Sequence, residues 1–386
     1  MSDLLAVSGA RIFDGNDWHD DAALLIEFGH VAGIVHSSAV PARSEIIGLD
    51  GGLVVPGFVD LQVNGGGGVL FNNDPSVSAI RTMLAAHAKY GTTALLPTLI
   101  TDTVEVNLAA MQAAREATKS GMPGFLGLHL EGPHLSIARK GTHDPALIRP
   151  MDETDLARLV ALRPDLPNLL ITVAPEAVTP AQITALTQAG IIVSLGHSDA
   201  SAQAAAEAFA AGATMGTHLF NAMSQLGNRE PGLVGAILSN DNIHAGLIAD
   251  GIHVHPSSMQ IALRAKTGSG RLFLVTDAMS QTGTDLTTLQ LNGRTITRAS
   301  GALRLANGTL AGADLDMIDA VRFMIKGMQM QQEEALRMAS LYPAQALGAA
   351  SEHGNLRSGA VASFVHLTSD HQIAATWLAG RQVFRT

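Results

Sequence analysis

The chain has 386 residues, 47% of them hydrophobic and 15% charged, ample material for a large core and the reverse of a disordered composition. Asp and Glu number 34 against 24 Lys and Arg, a net charge of -10 without basic runs, which argues against nucleic acid, whose binding rests on neutralised phosphates. Cysteine is absent, so disulfides and thiolate ligands are excluded and any metal must be held by nitrogen and oxygen.

The start, Met1-Ser2-Asp3-Leu4-Leu5, lacks a basic stretch leading into a long apolar one, and no apolar run approaches membrane-span length. A cytoplasmic protein without membrane contact is expected. Short strands are predicted over 4–7, 11–13, 22–27, 30–35 and 44–48, punctuated by turns rich in Gly, Asp and Asn. From about 54 the style changes: short apolar runs alternate with Ala- and Leu-rich helical stretches, as in a parallel sheet with crossover helices. Strands are predicted at 57–63, 92–98, 125–131, 169–174, 191–197, 215–219, 244–249 and 272–277. Helices are predicted at 76–89, 104–119, 180–189, 201–211 and 257–265. Eight such strands fit a closed (β/α)8 barrel of the TIM type, with an open doubly wound sheet as the alternative. Residues 281–309 break the rhythm with Thr, Gly and Asn and read as a hairpin-bearing loop, before helices at 314–328 and 333–347. The C-terminal end returns to short strands at 362–367, 373–378 and 382–385. The expected organisation is a small β domain from residues 1–53 and 350–386 around a barrel domain over 54–349.

Polar residues finish the apolar strands with regularity: Leu128-His129-Leu130-Glu131, Leu195-Gly196-His197, Thr217-His218-Leu219 and Val275-Thr276-Asp277. In a barrel these ends meet at one face, where barrel enzymes place their sites. Glu131, His197 and His218 would converge there as one carboxylate and two imidazoles. Three protein ligands with an open position is the pattern of a catalytic Zn2+ site, which Fe2+, Mn2+ or Co2+ would also accept. Taken singly, each residue has a plainer reading: a hydrogen-bonded loop histidine, half an ion pair for Glu131, a helix N-cap for Asp277. Gathering all four costs several kcal/mol unless a cation or a full hydrogen-bond network compensates, which favours the metal reading.

Pro56-Gly57-Phe58-Val59-Asp60, His129-Leu130-Glu131-Gly132-Pro133, Lys140-Gly141-Thr142-His143, Thr217-His218-Leu219-Phe220-Asn221-Ala222-Met223, Asp250-Gly251-Ile252-His253 and Val275-Thr276-Asp277-Ala278 carry a resemblance. Over almost the whole chain they resemble the amidohydrolase superfamily and, within it, the N-acetylglucosamine-6-phosphate deacetylase family. The resemblance implies a (β/α)8 barrel flanked by a small β-sandwich built from both termini. It implies hydrolysis of the acetamide of a 6-phosphorylated N-acetyl amino sugar, with Asp277 as general base and then acid, and His143 donating to the developing oxyanion. Asn221 and Ala222 would add hydrogen bonds to the substrate. Arg229 and His253 would reach the phosphate bound in a neighbouring subunit, which implies a homodimer.

Two departures from that pattern bear on the site. Many amidohydrolases end the first barrel strand in His-x-His, holding a second metal; here it reads Gln62-Val63-Asn64. Neutral amides are poor ligands beside imidazole and carboxylate, so one divalent metal per subunit is expected. Gln62 and Asn64 are left either to hydrogen-bond the neighbouring loop or to orient water or substrate. Ala313 and Asp316, with Asp314 close by, stand where similar proteins tend to carry small hydroxyl residues. The alternatives are the galactosamine epimer, a cyclic amide, and a non-catalytic barrel that binds sugar phosphates.

Overall fold

The computed structural model describes residues 4–386; residues 1–3, part of the N-terminal reading above, lie outside the described residues. Strands Phe58–Val63, Thr92–Ile100, Leu128–Glu131, Leu169–Val173, Ile192–Leu195, Met215–Gly216, His244–Leu247 and Leu272–Leu274 pair with their sequence neighbours as one eight-stranded parallel sheet. The chain beyond the eighth strand returns to the first through a Val63–Ala278 bridge, and the Asp277 N–H donates to the Gln62 carbonyl at 3.0 Å. These contacts close the barrel, and the open-sheet alternative falls away.

Burial explains why the strands read as apolar runs. All nine residues of Thr92–Ile100 are buried, because helices cover the outside of the sheet while side chains fill its inside. The helix Val104–Lys119 begins where Thr103 accepts a hydrogen bond from the Val106 N–H, and it buries Ala110, Met111, Ala113, Ala114 and Ala117. Each fully buried Leu, Ile or Phe in such a core contributes about 1.5–3 kcal/mol through surface removed from water.

Both chain ends build two further sheets. One contains His30–His36, Ala22–Glu27, Leu4–Ser8 and Glu45–Gly48; the other runs from Arg381–Arg385 through Ile373–Leu378, Phe364–Leu367, Leu53–Pro56 and Arg11–Phe13 to Trp18–His19. Leu53–Pro56 pairs antiparallel with Phe364–Leu367 and so joins the two termini. Between the sheets lies a separate core of Val7, Ile12, Leu24, Ile26, Phe364 and Trp377, the last two stacked at 4.6 Å. A small sandwich from both ends is thus present beside the barrel.

Two expectations need correcting in detail. The segment read as a hairpin-bearing loop is a four-stranded antiparallel sheet of Thr288–Leu291, Arg294–Ala299, Ala302–Leu305 and Leu310–Ala313. Its Leu289, Leu291, Ile296 and Leu303 pack with Leu70, Ile100 and Met279 of the barrel, contacts that no local pattern announces. The helix expected at 333–347 is two, Gln332–Ala339 and Leu341–Leu347, broken at Ser340. Pro343 has no N–H to continue the ladder across that point. Among the described residues, no helix is long and apolar enough to cross a membrane.

Candidate active site

Glu131 ends the third barrel strand, while His197, His218 and Asp277 stand two or three residues beyond the fifth, sixth and eighth. His197, His218 and Asp277 all adopt positive φ, 48°, 32° and 50°. Non-glycine residues held there cost about 1–3 kcal/mol each, a strain the surrounding packing must hold in place. That turn of the backbone ends each strand and sends its side chain into the mouth of the barrel.

The resulting geometry is tight. His197 Nε2 lies 3.1 Å and His218 Nε2 3.0 Å from the same Glu131 oxygen, Oε1, and the two ring nitrogens are 3.1 Å apart. Ligand atoms at bond lengths of about 2.0–2.1 Å around a tetrahedral ion sit at comparable separations. His197 Nδ1 donates to the Arg139 carbonyl at 2.8 Å, so its Nε2 lone pair is the one facing the cluster, as a neutral ligating imidazole requires. Gly141 makes that approach possible: at φ 55° a Cβ there would lie 3.2 Å from the His197 ring. The donor set fits one divalent cation. His143 belongs to the same compact group, with a ring nitrogen within 4.8 Å of ligand atoms of Glu131 and His197.

Electrostatics follow from the arrangement. Burial alone would raise the Glu131 carboxyl, but hydrogen bonds and charge from His197 and His218 hold it well below the usual carboxylate range. For His218, burial opposes protonation, yet the hydrogen bond to Glu131 and its charge outweigh burial and raise the ring. Burial and the neighbouring Glu131 push the Asp277 carboxyl up to about 6. His143 is held well below its ordinary value by burial and by His197. Its Nδ1 accepts the Thr101 N–H at 3.4 Å and lies 2.8 Å from the Thr101 hydroxyl, so the ring proton resides on Nε2. A neutral imidazole in that tautomer is a hydrogen-bond donor.

Gln62 and Asn64 do not serve a loop; they serve the carboxylates. Gln62 Nε2 donates to both Glu131 oxygens at 3.2 and 3.3 Å and to Asp277 Oδ1 at 3.3 Å, and Asn64 Nδ2 donates to Asp277 Oδ1 at 2.7 Å. Gln62 lies on the first barrel strand and Asn64 directly follows its last residue, two positions on, so both reach the same side. The site opens into a cavity of about 500 Å³ whose lining includes Asn64, Glu131, His143, His197, His218, Asn221, Ala222, His253 and Asp277. Three buried atoms of residues in that lining, Asn64 Oδ1, Thr142 Oγ1 and His218 Nδ1, have no partner among the described residues, and polar ligands or water are what satisfy such groups.

Other expected residues fall less uniformly. His253 lines its own chain's cavity, its Nδ1 2.6 Å from Asp250 Oδ2, which keeps Nε2 free. Arg229 is exposed on the loop before the helix Gly232–Ser239 and does not line this cavity. Glu230 does not pair with it: that carboxylate accepts the backbone N–H groups of Ala202 and Gly232. Asp314 pairs with Arg298 at 2.8 Å and Asp316 caps the helix Met317–Arg322, so neither extra carboxylate lines the cavity.

A layer beneath the cluster went unassigned from the sequence. His129, one pleat repeat below Glu131, lies 3.1 Å from the Thr98 hydroxyl and 2.8 Å from that of Thr172, which continues to Thr217 at 2.7 Å and Ser194 at 2.6 Å. Burial lowers His129 to about 4, so it is neutral and bridges these hydroxyls. The available signal was polar residues at inward positions of otherwise apolar strands. Asp60 belongs to the same interior: fully buried, it accepts from the Gln62 and Thr276 N–H groups and from the Thr276 hydroxyl at 2.5 Å. Burial nevertheless pushes its carboxyl up to about 7. A carboxyl raised on folding stabilises the fold below its unfolded pKa and loses that contribution as pH rises through 7. Asp60→Asn, which keeps acceptors for both N–H groups and a donor for Thr276, should therefore be more stable than the parent at pH 8 by on the order of 2 kcal/mol. The advantage should shrink towards pH 4; urea melts at both pH values check it, and a pH-independent difference would contradict it.

The fold and cluster define a class. The amidohydrolase family model matches residues 53–383, and the chain belongs to the amidohydrolase family as a metal-dependent enzyme. Within that family it is 42% identical over 384 residues to N-acetylgalactosamine-6-phosphate deacetylase of Shewanella sp. (strain ANA-3), covering 99% of this chain and 96% of the relative. It is 35% identical over 379 residues to N-acetylglucosamine-6-phosphate deacetylase of Haemophilus influenzae, covering 97% and 98%. The crystal structure of N-acetylglucosamine-6-phosphate deacetylase from Pasteurella multocida superposes with a TM-score of 0.95 at 35% identity, covering 99% of this chain and 100% of that one.

Proposed function

We propose that this chain hydrolyses the acetamide of N-acetylglucosamine-6-phosphate, releasing acetate and the amino sugar phosphate. The observation that carries the reading is the Glu131–His197–His218 triangle with Asp277 beside it, in a chain alike end to end to deacetylases of such substrates. A divalent cation held by those three residues, Zn2+ ahead of Fe2+, Mn2+ or Co2+, supplies the Lewis acidity that lowers the pKa of water from about 15.7 towards 7. Asp277 takes the proton of the attacking water and delivers it to the departing nitrogen, since an amine leaves readily only when protonated. Gln62 and Asn64 hold that carboxylate in place through their amide donors. His143, its proton on Nε2, donates to the carbonyl oxygen as negative charge develops there. Asn221 and Ala222 hydrogen-bond the sugar, and His253, which lines the same cavity, contacts the phosphate. Arg229 of the partner subunit reaches the same phosphate in a homodimer, and the enzyme works in the cytoplasm without membrane or nucleic-acid contact.

One observation favours a second reading: the 42% identity is to a relative named for the galactosamine epimer. Acetate release from the two epimeric 6-phosphorylated N-acetyl sugars, with and without chelator, tests both. Chelator-sensitive release is expected, fastest from one epimer. Release from neither, with metal present, would sink the sugar-phosphate reading.

A further inference from the structure

The cavity is lined partly by the sheet inserted between residues 288 and 313, which contributes Arg304, Gly308, Thr309, Leu310 and Gly312. Gly312 allows that approach: at φ 68° a Cβ would meet the Asp277 carbonyl at 2.8 Å and Met279 at 2.5 Å. Two arginines line this space, Arg139 half-buried and Arg304 exposed at its edge. Arg139 is committed to Asp199, Nε to Oδ1 at 2.8 Å. Arg304 has no carboxylate partner among the described residues; Nη1 donates to the Gly308 carbonyl at 3.0 Å, which leaves its remaining N–H groups unspent. Of the other arginines of the sheet, Arg298 pairs with Asp314, and Arg294, which donates to the Thr142 carbonyl, does not line the cavity. Leu303 points into the small core, so its neighbour Arg304 projects to the opposite face.

A phosphorylated substrate carries its negative charge into a chain of net charge -10 and a cavity that holds Asp277. A planar guanidinium with free donors offsets that charge and matches two phosphoryl oxygens at once. We propose that Arg304, outside every motif of the sequence, is a specificity-determining contact to the substrate's phosphoryl group, supplied by the chain that performs the chemistry. The assignment rests on the sugar-phosphate reading above. Its test compares kcat/KM for the 6-phosphorylated and the unphosphorylated N-acetyl sugar in the parent, Arg304→Gln and Arg304→Lys. Arg304→Gln should lose on the order of 10- to 100-fold of the parent's preference for the phosphorylated sugar, mostly as a rise in KM, the worth of a hydrogen bond to a charged group. Arg304→Lys should recover part of it, and inorganic phosphate should inhibit the three proteins in the order parent, Lys, Gln. A parent preference that survives Arg304→Gln, or equal losses on both sugars, would overturn the assignment of Arg304 alone. A parent without any preference for the phosphorylated sugar would overturn the substrate reading, and Arg304 with it.

Discussion

Asp277→Asn should lower kcat by about a thousandfold while KM stays within a few-fold, the range that removal of a general acid–base group produces. The replacement is close to isosteric. Its Oδ1 still accepts from Asn64, which donates to Asp277 at 2.7 Å, so the wall of the cavity and the fold survive. What it cannot do is take a proton from water and return it to nitrogen. The pH profile separates that loss from simple misplacement. In the parent, protonation of Asp277 removes the base, so kcat/KM should fall with decreasing pH along a limb at or below about 6, the value to which burial and Glu131 push this carboxyl. A divalent charge beside it opposes protonation and moves the limb lower still. The variant should lack the limb. Turnover within a few-fold of the parent, or an unchanged acid limb, would remove Asp277 from the chemistry.

Glu131→Gln should abolish tight metal binding and reduce activity to background. The carboxylate is the anion of the triangle, and both imidazoles direct Nε2 at one of its oxygens, 3.1 and 3.0 Å away. An amide of the same size offers no charge to the cation, and neutral amide oxygen is a poor ligand among imidazoles. The parent, dialysed after incubation with excess Zn2+, should retain about one ion per chain, and the variant well below one. Because a ligand bound only by the folded state adds stability, added Zn2+ should raise the Tm of the parent and not that of the variant. Two ions held equally tightly by the parent would show that Gln62 and Asn64 do not preclude a second site. Full retention by the variant would move the centre away from Glu131.

Much of this site was legible because barrel architecture turns a one-dimensional rule into a spatial one. Once 54–349 reads as alternating strands and helices, polar residues at strand ends must share a face, and Glu131, His197, His218 and Asp277 could be gathered without coordinates. Less was visible where a side chain's partner is a remote backbone atom or an inserted element. The tautomer of His143 depends on Thr101, 42 positions away, and that of His197 on the Arg139 carbonyl, 58 positions away. Gln62 and Asn64 gave no local sign of whether they face a loop or the two carboxylates.

The primary structure by itself determined the strand and helix alternation, the β-rich ends and which polar residues finish the barrel strands, because period and side-chain chemistry are properties of neighbours along the chain. Tertiary structure alone decided that the 288–313 insertion becomes a sheet forming one wall of the cavity, that Arg304 lines it while Arg229 does not, and that Asp60 and His129 lie in the barrel's buried interior. Those outcomes depend on desolvation and on contacts between segments far apart in sequence. Such energies exist only once the barrel has closed and the water between the segments is gone.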